Sequence, residues 1–247
     1  MKHWKPAVIA ALWSGALYAA PMPVVASFSI LGDVAQQIGG ERVGVQNLVG
    51  ANQDAHAYNL TSGDIKKIRE ARLVLLNGLG LEKAELQRAV KQSKVASAEA
   101  TAGIKPLAAD EHHHEHGHDH DHDHGEFDPH VWNDPVLMQR YAANVAIALI
   151  KADPAGSRYY QQRFKDYQNV LNQLNNYANQ QFGAVAPAKR KVLTGHDSFA
   201  YLGKRYQVKF ISPQGVSSEA EPSARQIAAI IRQIKAENVK AVFTENI

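Results

Sequence analysis

Short apolar segments alternate with amphipathic segments along the first part of the chain after residue 20. The short segments are rich in Val, Leu and Ala and have the length of buried strands; they cover residues 24–30, 42–50, 72–78 and 94–98. The segments between them have helical spacing of apolar residues and cover residues 31–40, 61–71 and 80–92. Strands that alternate with helices predict an α/β fold with a parallel sheet.

The same alternation returns after Pro187. Strands are predicted at 191–195, 208–212 and 240–246, and helices at 196–206 and 222–237. No helix follows the last predicted strand, which would leave one apolar face of this second sheet bare. We therefore expect that the second lobe, residues 183–247, is incomplete.

Residues 153–182 carry the longest helical pattern. Asp153 can cap this helix and Pro154 suits its first turn. Apolar residues recur at alternating spacings of four and three, at Tyr160, Phe164, Tyr167, Leu171, Leu174 and Ala178. At 1.5 Å per residue the helix would span about 45 Å, which is enough to link the lobe of residues 21–152 to the second lobe. A coiled-coil partner helix is the alternative.

Residues 1–20 have the three parts of a secretory signal peptide. Lys2 and Lys5 precede the apolar run from Ala7 to Leu17, and small residues follow. The run is short for a membrane span. The chain contains no cysteine, so we expect no lipid anchor and no disulfide, and a metal site would have to use His, Asp or Glu. These features predict a protein exported to the periplasm.

The net charge gives no sign of a nucleic-acid partner. The formal charge is +3, and removal of the leader lysines leaves about +1. We expect a monomer that does not bind nucleic acid.

Eight of the 12 histidines lie in one low-complexity segment, residues 110–125. This segment has no large apolar residue and cannot pack into a core, so it predicts a solvated loop. The histidines alternate with Asp and Glu, a composition typical of multivalent metal binding; they are His112, His113, His114, His116, His118, His120, His122 and His124. A low-complexity insertion without function is the alternative.

Three histidines lie outside both this loop and the leader. His56 follows the second predicted strand, His196 follows the first strand of the second lobe, and His130 precedes a predicted helix that begins at Pro135. Ligands of open α/β sheets bind at the carboxyl ends of the strands. A site shared by the three would therefore lie in the cleft between the lobes, although each histidine alone is more often a capping or surface residue.

Several segments resemble the zinc- and manganese-binding solute-binding proteins of bacterial ABC transporters. They are, in order, VVASFSILGDVAQQIGG, DAHAY, LLNGLGLE, FDPHVWNDP, TGHDSFAYLGKRY and VFTEN. The resemblance implies two α/β lobes joined by one rigid long helix, with a metal site formed by both lobes. His56, His130 and His196 match its ligand positions. The fourth ligand, usually an Asp, has no counterpart before Ile247, and Asn59-Leu60 stands where a Glu-Pro pair is common.

Zinc is the expected metal because imidazole suits Zn²⁺, whereas Mn²⁺ prefers carboxylate and water. Manganese members of the family resemble this chain but carry Glu where His196 stands. The expected function is that of a high-affinity zinc receptor that delivers Zn²⁺ to the membrane permease of an ABC importer. A manganese receptor and a zinc-buffering chaperone acting through the His-rich loop are the alternatives.

A zinc hydrolase is the remaining alternative, since three His and a water can also form a catalytic site. Outside the His-rich segment the sequence has no HExxH pair. Asp54 and Asp197 are the close candidates for a general base, and we expect them to orient the ligands rather than to act as bases. We therefore expect no enzymatic activity.

Overall fold

The computed structural model describes residues 20–109, 126–216, 218, 222–239 and 241–245. The predicted signal peptide, apart from Ala20, and the predicted His-rich loop with its eight histidines lie outside the described residues. The predicted α/β class is confirmed: two parallel sheets with flanking helices are connected by one long helix. Among the described residues, none of the helices has both the length and the apolar character that a membrane span requires.

The first sheet has four parallel strands in the order β2-β1-β3-β4. The strands are β1 Met22–Phe28, β2 Val43–Val49, β3 Leu73–Leu76 and β4 Ala96–Glu99. Its helices are α1 Ser29–Gly39, α2 Ser62–Glu70, α3 Ala84–Ser93 and α4 Leu137–Ala152. The first helix begins at Ser29, so the first strand ends two residues earlier than predicted; it also begins two residues earlier, at Met22, and keeps its predicted length.

Alternate residues of the central strands enter different cores. Val24 and Leu75 pack with α1 and α4 on one face of the sheet, whereas Val25 and Val74 pack with α2 and α3 on the other. The side chains of a strand point alternately to its two faces, and here both faces are covered. This explains the nearly continuous apolar runs in these strands.

The long helix α5, Ser157–Gly183, has 27 residues and follows a 3-10 turn at Pro154–Gly156. The expected cap at Asp153 is wrong, because its carboxylate accepts hydrogen bonds from Arg42 at 2.7 and 2.9 Å and from Tyr160 at 2.7 Å. The carboxylate therefore fastens the start of α5 to the first lobe.

The apolar stripe of α5 is buried over only part of its length. Tyr160 and Leu171 are buried against α1 and α4, whereas Leu174 is 49% exposed. The first turns of the helix thus belong to the core of the first lobe.

The second sheet has three parallel strands in the order β6-β5-β7. They are β5 Lys191–Leu193, β6 Lys209–Ile211 and β7 Ala241–Val242, and the helices are α6 Ala200–Tyr206 and α7 Ala224–Glu237. Helix α6 begins four residues after His196, which was expected inside it, and β7 is shorter than predicted. His196 consequently lies in the loop between β5 and α6.

The lobes contact each other where α6 meets the turn before α4. Two nitrogen atoms of the Arg205 guanidinium contact the Asp134 carboxylate, and Nε lies 2.9 Å from Oδ2. Nδ2 of Asn133 donates to the Ser198 carbonyl at 2.7 Å. The two-lobe architecture with a long connecting helix is confirmed. The residue boundaries assigned to the lobes, 21–152, 153–182 and 183–247, stay a prediction.

Candidate metal site

The structure brings together the three histidines that the sequence singled out. His56 lies in the loop after β2, His196 in the loop after β5, and His130 just before the 3-10 turn Val131–Asn133. The Nε2 atom of His130 is 3.0 Å from that of His56 and 3.4 Å from that of His196. Ligand atoms of all three lie within 4.8 Å of one another. Two loops of the first lobe and one of the second therefore form a single cluster in the cleft.

The spacing of the nitrogen atoms can be compared with zinc coordination. Zn–N bonds are about 2.0–2.1 Å, so two nitrogen ligands of a tetrahedral ion lie about 3.3 Å apart. The separations of 3.0 and 3.4 Å bracket this value. The cluster can accept such an ion with small movements of the rings.

The cluster is largely removed from solvent. His130 and His196 are buried and His56 is intermediate. Burial and, after it, the charges of His130 and His196 lower the pKa of His56 to about 3. His56 is therefore neutral at physiological pH, as a metal ligand must be.

Asp128 holds the ring of His130. Its Oδ1 lies 2.7 Å from Nδ1 of His130 and also accepts the backbone N–H of His130 at 2.9 Å. The indole of Trp132 packs edge-on against the same imidazole, with ring centroids 5.1 Å apart. With Nδ1 engaged by a carboxylate, the lone pair at Nε2 points to the other histidines.

Glu245 has the same relation to His196. Its Oε2 is 2.9 Å from Nδ1 of His196, and its Oε1 accepts a hydrogen bond from Ser198 at 3.4 Å. Glu245 follows β7, whose neighbour β5 leads into the loop of His196. The two histidines are thus oriented by carboxylates from different parts of the chain.

Asp54 and Asp197, which were expected to orient the ligands, lie in the loops of His56 and His196. Asp54 accepts the backbone N–H of His56 at 2.8 Å and a hydrogen bond from the Ser218 hydroxyl, so it shapes the loop and bridges the lobes. The backbone N–H of Asp197 donates to the Gly215 carbonyl at 3.0 Å. The carboxylate on the ring of His196 is that of Glu245.

The loop of His56 is held by hydrogen bonds of its own residues at the start of α2. Thr61 caps α2 and forms a reciprocal capping box with Asp64, whose carboxylate also accepts the Tyr58 hydroxyl. Burial raises the pKa of Asp64, but the hydrogen bonds of Thr61, Tyr58 and Lys67 outweigh it and lower the pKa to about 2. An ionised carboxylate therefore fastens the end of this loop to the first turn of α2.

The base of the His-rich segment lies beside His130. Ala108 and Phe127 form an antiparallel bridge, and the Asp128 N–H donates to the Leu107 carbonyl at 2.9 Å. The hydroxyl of Tyr201 in α6 accepts the Leu107 N–H at 3.0 Å and donates to the Asp128 carbonyl at 2.8 Å. The second lobe thus contacts both chain segments that flank residues 110–125.

Two parallel-sheet lobes, a long connecting helix and a cluster of imidazoles between the lobes define a metal-binding substrate receptor of the ABC-transporter type. The family model described as "Zinc-uptake complex component A periplasmic" matches residues 24–247. The chain belongs to this family. Its members are substrate-binding receptors and not enzymes, which confirms the expectation that the chain catalyses no reaction.

Relatives in this family are named for different metals. The chain is 32% identical to the high-affinity zinc uptake system protein ZnuA of Bacillus subtilis over 227 residues, 91% of this chain and 70% of the relative. It is 31% identical to the manganese-binding lipoprotein MntA of the same organism over 229 residues, 91% of this chain and 71% of the relative. Because MntA is named as a lipoprotein, the comparisons give no support to the expected absence of a lipid anchor.

A similar solved structure is the periplasmic zinc-binding protein TroA of Treponema pallidum. It has a TM-score of 0.82 and 27% identity, and the match covers 92% of this chain and 78% of TroA. The arrangement of lobes and long helix is therefore that of a known receptor fold.

Proposed function

We propose that the chain is a zinc receptor that binds Zn²⁺ as cargo through His56, His130 and His196 and delivers it to the permease of an ABC importer. The observation that carries this proposal is the convergence of three Nε2 atoms at 3.0 and 3.4 Å. Asp128 and Glu245 contact Nδ1 of two of the rings, which leaves Nε2 of each as the atom that can bind a metal. Family membership supports the receptor role, and the family description supports a periplasmic location.

The donor set favours zinc over manganese. Three imidazoles are ligands that Zn²⁺ accepts readily, whereas Mn²⁺ prefers carboxylate and water oxygens. The carboxylates of Asp128 and Glu245 contact Nδ1 of His130 and His196 and are thereby used to orient these ligands. Relatives named for zinc and for manganese are about equally similar to this chain, so the preference rests on the chemistry of the donors.

The His-rich segment supplies an auxiliary role in this proposal. It would gather Zn²⁺ weakly beside the cleft, because ordering a solvated loop around each ion costs conformational entropy. On one side of the segment Leu107 contacts Asp128, which lies on the other side and orients His130.

A competition titration tests the metal preference. The mature protein is titrated with Zn²⁺ and with Mn²⁺ against chelators of known affinity, at a fixed pH and ionic strength. One tight Zn²⁺ site with much weaker Mn²⁺ binding is expected. Tighter binding of Mn²⁺ would assign the chain to manganese, and an absence of tight binding of either ion would reject the receptor role.

A further inference from the structure

Asn77 is a fully buried residue whose side-chain hydrogen bonds go to groups other than the three histidine rings. It follows β3 directly, and its side chain forms three hydrogen bonds. Nδ2 donates to the Gly78 carbonyl at 3.0 Å and to the Pro129 carbonyl at 3.1 Å, and Oδ1 accepts the Tyr141 hydroxyl at 3.0 Å. The two carbonyls can only accept, so Nδ2 must face them.

The Pro129 carbonyl belongs to the peptide group that leads into His130. This oxygen also accepts the Val131 N–H at 2.8 Å. The N–H of the same peptide group, that of His130, donates to Asp128 at 2.9 Å. The peptide plane before His130 is therefore fixed at its oxygen by Asn77 and at its nitrogen by Asp128.

Asn77 is itself fastened to the sheet. Its backbone N–H donates to Oε1 of the buried Glu82 at 2.6 Å, and its carbonyl accepts from the Thr101 hydroxyl at 2.6 Å and the Thr101 N–H at 3.1 Å. Glu82 in turn accepts from Ser27 at 2.6 Å and from the Gly78 N–H at 3.0 Å. Hydrogen bonds through Asn77 therefore connect β1 and β3 to the segment that carries His130.

We propose that Asn77 is a positioning residue for the metal: it sets the backbone at His130, while Asp128 sets the imidazole ring. This inference rests on the proposed function, since it concerns the geometry of the same site. A backbone that can shift before His130 would leave Nε2 displaced from the other two imidazoles. Metal affinity would then fall by more than the loss of fold stability explains.

The network offers a matched pair of substitutions. Asn77→Asp keeps an oxygen toward Tyr141 but replaces the donor that faces the Pro129 and Gly78 carbonyls with a second oxygen. Tyr141→Phe removes the hydroxyl at the opposite end and leaves both Nδ2 contacts. Each breaks a buried hydrogen bond and should lower stability, but only the first acts on His130. Asn77→Ala, which introduces no charge, serves as the second Asn77 variant.

The affinity of the tight site for Zn²⁺ and the visible absorption of the Co²⁺-loaded protein are measured for all variants, beside their thermal unfolding. The Asn77 variants should bind Zn²⁺ about tenfold more weakly or worse, in the range found for residues that hold a metal ligand in place. Their Co²⁺ spectra should change, because the ligand geometry changes. Tyr141→Phe should keep the wild-type affinity and spectrum despite its loss of stability.

Wild-type affinity and an unchanged Co²⁺ spectrum in a folded Asn77 variant would overturn the proposal. The proposal would also be overturned if Tyr141→Phe lost Zn²⁺ affinity in proportion to its loss of stability. The effect of the Asn77 variants would then be explained by a less stable fold alone. Failure of the wild-type protein to bind Zn²⁺ would instead reject the proposed function, so the two failures can be told apart.

Discussion

The carboxylate of Glu245 lies 2.9 Å from Nδ1 of His196 and fixes the orientation of that ring. Asp128 is placed in the same way on His130, at 2.7 Å. One carboxylate precedes its histidine by two residues, and the other follows by 49. The same arrangement at two of the three rings supports the proposed coordination of the metal through Nε2.

Replacement of either carboxylate by its amide should weaken metal binding while the ligand itself remains. We expect Glu245→Gln and Asp128→Asn each to lower Zn²⁺ affinity about 10- to 100-fold, because the amide stabilises the metal-bound imidazole less. Competition titration measures the change. Glu237→Gln is the control, since that carboxylate in the same lobe binds Lys191 and Lys209 and not a histidine. Equal affinity in all three variants would contradict the role of the carboxylates.

Loss of a ligand should have a larger effect than loss of the group that orients it. His56→Ala, His130→Ala and His196→Ala each leave two imidazoles, and we expect affinity losses beyond the 10- to 100-fold typical of an orienting residue. His118→Ala in the His-rich loop is the matched control and should leave the tight site unchanged. Wild-type affinity in all three ligand variants would show that the fixed site lies elsewhere.

Local patterns predicted the α/β class, the order of the elements and the long helix, because buried strands and amphipathic helices leave short-range periodicity in the sequence. They also placed His56 and His196 at strand ends, where parallel sheets bring loops together. Element ends were less well predicted: the side chain of Asp153 could have capped α5, but tertiary contacts to Arg42 and Tyr160 use it instead.

The two carboxylates that contact the histidine rings differ in whether their positions could be predicted from the sequence. Asp128 lies two residues before His130, and this spacing could have indicated a carboxylate on Nδ1 of that ring. Glu245 was not predicted, because its proximity to His196 depends on the pairing of β5 with β7 and has no local pattern. Asn77 reaches the site only through the Pro129 carbonyl, which depends on the packing of the whole lobe.

Deletion of the His-rich segment should separate the two kinds of histidine. The bridge between Ala108 and Phe127 brings the ends of the segment together, so a short Gly-Ser turn can replace residues 112–124. We expect fewer Zn²⁺ ions bound per chain and an unchanged affinity at the tightest site, as measured by titration with metal analysis. A version with the eight histidines changed to Ser keeps the length of the segment and serves as the control. Loss of the tight site in both would show that the loop supplies one of its ligands.

The acid stability of the protein should depend on Asp64. Its pKa is lowered from 3.8 to about 2 in the folded chain, so the unfolded chain binds more protons between these values. The stabilisation is complete above pH 3.8 and is lost as the pH falls toward 2. We expect Asp64→Asn to lower the free energy of unfolding at pH 7 by about 2 kcal/mol, with the difference from wild type vanishing near pH 2.

Denaturant unfolding at a series of pH values measures this difference. Glu70→Gln is the control, because its ion pair with Lys66 in the same helix is long, at 3.9 Å, and exposed, and should contribute little. A difference between wild type and Asp64→Asn that stays constant from pH 7 to pH 2 would show that the stabilisation is not electrostatic.

A change of one ligand should alter the choice of metal. His196→Glu replaces an imidazole with a carboxylate, which Mn²⁺ prefers as a ligand. The new side chain would face Glu245, which lies 2.9 Å from Nδ1 of His196 in the wild type, and like charges there would destabilise the site. The informative protein is therefore the double variant His196→Glu with Glu245→Gln. We expect its affinity for Mn²⁺ relative to Zn²⁺ to rise at least about tenfold, or about 1.4 kcal/mol. Paired chelator titrations with the two ions give this ratio, and Glu245→Gln alone shows what the amide contributes. An unchanged ratio would mean that metal choice is set by the shape of the cleft and not by the third ligand.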